Sequence, residues 1–174
     1  MALRRIRTEG DRILRKVSKP VDEISPRIVT LLDDMIETLD DVNAVGLAAP
    51  QIGVLKRIIV IRMPRDEDDE DGEGELFEMI NPVVVDESGT QRMNEACLSI
   101  PGESAYVERP QRVTVLYSGR DGAQRSLTCE DVMAVAVCHE TDHLDGVLYI
   151  DKISPPRPGD EETDGGKKRK GRRI

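Results

Sequence analysis

Residues 131 to 146, DVMAVAVCHETDHLDG, decide how this chain must fold. Six apolar residues, Val132 to Val137, run directly into His139-Glu140-Thr141-Asp142-His143, and Gly146 supplies a helix stop. The spacing predicts a helix from about Asp131 to Gly146, with Val132, Val135, Ala136, His139 and His143 on neighbouring rows. Residues four apart sit one turn above each other, so the two imidazoles project from one face. That geometry chelates a single metal ion. Glu140 is offset by one residue and reaches a water at the metal without ligating the metal. The plain alternative is a helical His pair beside a solvated Glu, yet these are the only two histidines in 174 residues.

A helix this apolar must be buried, and the chain upstream supplies sheet to bury it. Arg57 to Arg62 (RIIVIR) reads as a buried strand. Further strands are expected at about 77–87, 91–99, 104–109, 112–118 and 123–128, with turn signals at Glu87-Ser88-Gly89 and at Gly119 to Gly122. A second helix is expected at about 26–41, where Ser25 caps, Pro26 opens, and Ile28, Leu32, Met35 and Leu39 form a stripe. Asn43 to Gly53 reads as an irregular, closely packed stretch. The expected class is α+β: antiparallel sheets packed around a central metal-binding helix, with a second, N-terminal amphipathic helix. Residues 1–154 are expected to form one domain carrying the candidate catalytic site, and 155–174, with Pro155, Pro156 and Pro158 and then charge and glycine, is expected to be a disordered tail.

Composition excludes several classes. No apolar run approaches the roughly 18 residues of a membrane span, and no secretory leader pattern follows Met1, so a cytoplasmic protein is expected. Three cysteines, Cys97, Cys129 and Cys138, do not make a disulfide framework. With three Tyr, one Phe and no Trp there is little material for stacking on nucleic-acid bases, and DNA is not an expected partner. The net charge of −9 is uneven: Pro64 to Leu76 carries −7 and the tail +3, leaving −5 elsewhere. The acidic run at 65–75 is expected to be a loop, and global acidity says little about partners.

A catalytic metal needs a third protein ligand and an open position. A protease pattern with a third His fails because Tyr149 occupies that place, and the Glu ligand of another pattern would have to come from Glu161 or Glu162 in the tail. A cysteine is the remaining candidate. Cys97 lies at a strand end before Pro101-Gly102, Cys129 precedes the helix, and Cys138 points about 100° away from His139. A small buried hydrophobe is the ordinary role for each.

Taken with Ala44-Val45-Gly46-Leu47-Ala48-Ala49-Pro50-Gln51 and Glu95-Ala96-Cys97-Leu98-Ser99, the stretch Cys138 to His143 resembles the three ordered motifs of the peptide deformylases. The resemblance spans about residues 4–153. It implies a hydrolase that removes the formyl group from N-formylmethionine at the start of newly made polypeptides. It implies one divalent metal on Cys97, His139 and His143, Fe(II) in the cell and replaceable by Ni, Co or Zn. Water activated by that metal would attack the formyl carbon, with Glu140 as general base and then acid. The Gln51 amide and the Leu98 backbone N–H would stabilise the oxyanion.

The nascent peptide would add as a strand near Gly46, and Val45, Val135 and Ala136 are the candidates for its methionine pocket, or are simple core. Ala44 and Ala96 replace motif glycines, at a cost of about 1 kcal/mol or more wherever the backbone has positive φ. Cys138 replaces the motif Gln and reads as packing. The alternatives are a zinc endopeptidase and a catalytically silent, ribosome-associated metal-binding module. The basic end of the tail, Lys167 to Arg173, is either a contact to ribosomal RNA or a solvated terminus.

Overall fold

Strand β2 (Ile58–Met63) shows how the molecule is layered. Side chains alternate across a strand. Ile58 and Val60 enter one core with Leu32, Met35 and Leu39, while Ile59 and Ile61 enter another with Ala134, Ala136 and Val137. The strand is therefore covered on both faces, which is why it reads as an unbroken apolar run rather than an alternating one. The structure is a computed structural model that describes residues 2–63, 74–158 and 160.

Helix α1 (Pro26–Asp41) covers one face and helix α2 (Asp131–Leu144) the other. Between them lies a five-stranded antiparallel sheet in the order β1-β2-β3-β6-β7, built from Gly46–Ala48, β2, Glu75–Ser88, Arg112–Ser118 and Gln124–Glu130. A separate hairpin, β4 (Gln91–Cys97) with β5 (Ile100–Arg109), forms a second sheet. It carries a small third core of Leu14, Cys97, Ile100, Val107, Leu148 and Tyr149. This is the α+β arrangement expected, with antiparallel sheets and two helices.

Several local expectations need correction. The stretch 43–53 is not wholly irregular: Gly46–Ala48 pairs with Ile59–Ile61 as β1, and Ala49–Ile52 is a 3-10 turn. Three residues are too few to show alternation. Ser25 sits at the N-cap of α1, but its carbonyl rather than its hydroxyl receives the Ile28 and Val29 N–H groups. Neither Ala44 nor Ala96 has positive φ; among described non-glycine residues only Asn43, Asn81 and Asp131 do. The added methyl groups therefore bring no backbone strain.

No described helix is long and apolar enough to cross a membrane. Of the acidic stretch, 65–73 lies outside the described residues, and Glu75 opens β3. The chain beyond 154 keeps contact with the hairpin as far as it is described. Ser154 N–H donates to the Tyr106 carbonyl at 2.8 Å, Arg92 pairs with Asp160, and Arg157 pairs with Glu108. Residues 161–174, including the basic cluster, lie outside the described residues.

Candidate metal centre

Eight consecutive residues of α2, Met133 to Glu140, are buried. The apolar ones fill the core against the five-stranded sheet, and this packing carries His139, Glu140 and His143 into the interior at 1–2% exposure. The hairpin brings Cys97 to the same point, just before its two-residue turn Leu98-Ser99. One ligand atom from each of Cys97, His139 and His143 lies within 4.8 Å of the others, and Cys97 Sγ is 3.3 Å from His143 Nε2.

The polar atoms here are short of partners. His139 Nε2, His143 Nδ1 and both carboxylate oxygens of Glu140 are buried without a hydrogen-bond partner among the described residues. Each such atom costs about 1–3 kcal/mol. A thiolate and two imidazoles converging on one point fit a divalent ion of the softer kind. Cys138 is not part of this group. It is a residue of α2 packed into the core against the five-stranded sheet, with its thiol pushed up to about 12 by burial. Cys129 packs at the edge of the same core and is pushed up to about 11 by burial.

Sequence reasoning missed the support of His139. Glu95, fully buried, places Oε2 2.7 Å from His139 Nδ1, which leaves Nε2 as the free ligand atom. Arg109, 3% exposed, donates to both Glu95 oxygens at 2.7 and 2.9 Å and to Asp142 at 2.6 Å, and Lys152 donates to Asp142 at 2.8 Å. Burial alone would raise the pKa of Glu95, but Arg109 and His139 hold it down to about 2. Tyr149 stacks on His139 with ring centroids 6.1 Å apart. A signal for Glu95 was present, because a residue two before Cys97 on a strand shares its face. Arg109 reaches the site only through the hairpin fold.

The two histidines are driven in opposite directions. Burial would lower His139, but contact with Cys97 and Glu95 pushes it up to about 10; burial and the neighbouring His139 hold His143 well below the usual range. Burial pushes Glu140 up to about 7. Gly46 passes so close that an added Cβ would stand 2.4 Å from Glu140 Oε1, so only glycine fits beneath that carboxylate.

Gln51 is 1% exposed; its Oε1 accepts the Ala48 N–H at 2.7 Å, and its Nε2 faces Ser99 Oγ at 3.3 Å and Cys97 Sγ at 3.5 Å. Cys97, His139, His143, Glu140, Gln51 and Gly46 are thus brought together, with Leu98 in the adjoining turn. Val45 and Ala136 lie in the core between α2 and the sheet, and Val135 is fully buried.

The family model described as polypeptide deformylase matches residues 3–158. The chain belongs to the peptide deformylase family. A peptide deformylase from Acetivibrio thermocellus is 53% identical over 153 residues, covering 88% of this chain and 85% of the relative. One from Alkaliphilus metalliredigens is 50% identical, covering 88% of this chain and 98% of the relative.

Among solved structures, the peptide deformylase of Thermotoga maritima superimposes with a TM-score of 0.80 at 36% identity, covering 89% of this chain and all of that one. That of Ehrlichia chaffeensis gives 0.82 at 35%, covering 88% of this chain and 89% of that one. As a peptide deformylase the protein is a metal-dependent hydrolase, and the Cys97-His139-His143 group suits that class. The endopeptidase and silent-module readings are not favoured.

Proposed function

We propose that this deformylase removes the formyl group from N-formylmethionine at the start of nascent polypeptides, with Cys97, His139 and His143 holding its metal. The observation that carries the reading is the Glu140 carboxylate, buried without a partner beside that ligand group. A divalent ion held by these three residues would supply Lewis-acid chemistry at a buried site. The thiolate-imidazole donor set suits Fe(II) in the cell, with Ni, Co or Zn as replacements.

Glu140 accepts the proton of the attacking water and returns it to the departing amine. Burial raises this carboxyl above its ordinary range, which suits a group that must both take and give a proton. The Gln51 side-chain N–H and the Leu98 backbone N–H are proposed as the oxyanion donors. Strand β1 is the edge of its sheet, which supports docking of the peptide as an added strand beside Gly46. Val45, Val135 and Ala136 are proposed as the apolar floor under the methionine side chain; all three are buried in the free protein.

The proposed setting is the cytoplasm, where formylated chains emerge, and the proposed ribosomal contact of the basic tail rests on its charge. The test is formate release from a formyl-Met peptide by protein purified without oxygen and loaded with Fe(II) or Ni(II), alongside elemental analysis. Formate with about one metal per chain is expected. No formate from fully loaded protein, or cleavage of an internal peptide bond instead, would defeat the reading.

A further inference from the structure

Residues 4–9, which form no regular element, touch both halves of the site. The Arg7 N–H donates to the Gln51 carbonyl at 2.7 Å, and the Glu9 N–H donates to the Ser99 carbonyl at 2.8 Å. These acceptors belong to different sheets: Gln51 lies in the turn after β1, and Ser99 in the turn between β4 and β5. The segment is latched at both ends. Arg4 gives Nε and Nη2 to the buried Asp34 of α1 at 2.9 and 2.6 Å, and its own N–H donates to Thr38 Oγ1 at 2.9 Å. Beyond Glu9 the chain enters the 3-10 turn Arg12–Arg15, whose Leu14 is buried in the core that contains Cys97. The Arg7 guanidinium also lies over Gly53, the left-handed residue that ends the Gln51 turn; a Cβ there would stand 3.1 Å from Arg7 Nε.

We propose that residues 4–9 are a strap that sets the distance between the Gln51 amide and the Cys97-Leu98 turn, with Arg4 and Arg7 as positioning residues. The inference rests on the deformylase reading for what those two turns do, and on the hydrogen bonds for the strap itself. Two donors aimed at one developing charge must be held in place before the reaction. An error near 1 Å costs about 10²-fold in rate, so a tie across the gap bears on turnover without touching substrate.

The experiment uses the metal-loaded full chain. Arg4→Ala combined with Asp34→Ala removes the side-chain part of the latch without stranding a buried carboxylate, and leaves the Arg4 N–H on Thr38. Arg7→Pro removes the N–H given to Gln51. Arg4→Lys keeps a cation for Asp34. Formate kinetics, metal content, thermal unfolding and amide hydrogen exchange at 48–53 and 97–100 are measured on each.

The first two variants should lose about tenfold in kcat with KM within about twofold, keep their metal, and exchange faster in both turns. Arg4→Lys should recover most of the kcat. Unchanged exchange in both turns, or a loss of kcat that only follows the folded fraction and is not relieved by Arg4→Lys, would overturn the strap. Absence of formate from the unmutated protein would count against the deformylase reading instead, while the exchange comparison would still decide the strap.

Discussion

Helix α1 buries Ile28, Leu31, Leu32, Met35 and Leu39 on one side and leaves Arg27, Thr30, Asp40 and Asp41 to solvent, whereas α2 is buried continuously from Met133 to Glu140. The difference lies in what is buried. In α1 the two buried polar residues, Asp34 and Thr38, are both hydrogen-bonded, and the one unpartnered buried atom among its described residues is a single oxygen, Oε2, of half-buried Glu37. In α2 His139, Glu140 and His143 each keep at least one buried atom without a partner among the described residues. One helix contributes stability, and the other carries groups whose burial opposes it.

The largest expected effect tests that division at Glu140. Glu140→Gln should lower formate release by about 10²–10⁴-fold. Because the folded carboxyl is raised to about 7 from its ordinary 4.5, folding favours its protonated form. Its burden on stability appears as pH rises between those values and is complete above about 7, where the amide carries none. Thermal melts of the metal-free proteins should show the variant more stable at about pH 8 and the gap closing toward about pH 5. A variant that is inactive and also less stable at high pH would break the contrast.

Leu39→Ala in α1 should do the converse, losing about 2–5 kcal/mol in denaturant titrations while kcat of the folded protein stays the same. Glu95→Gln sharpens the account of α2 by loosening the orientation of His139, and metal competition should show affinity weaker by about 10–100-fold. Glu95 is held at about 2, below its ordinary 4.5. Its stabilisation is full above the ordinary value and is lost as pH falls toward 2, so the stability gap to the variant should close in acid. The smallest effect is expected at Cys138→Ala, about 1 kcal/mol with metal content unchanged. A fall in bound metal would make Cys138 a ligand rather than packing.

Local periodicity made the two helices and most strands legible, because each repeats its pattern over several turns or alternations. The His139-Glu140-His143 spacing made two of the three proposed ligands legible from the helix alone. The third ligand was legible only through resemblance, since nothing local to Cys97 says that a hairpin turn will carry it to α2. The Glu95-Arg109 pair escaped for the same reason: the two residues are 14 apart and meet only when β4 folds on β5. Strand β1 and the strap at 4–9 have no pattern of their own, and partners far away in the chain define both.

The ligand group takes its thiol from one sheet and its imidazoles from a helix packed on the other. An ion shared by all three would be a removable rivet between the hairpin and the rest of the molecule, and its hold would grow with the logarithm of free metal concentration. In a cell starved of that metal the hairpin would open more often and meet proteases sooner. The lifetime of the protein, and not only its rate, would then follow the metal supply.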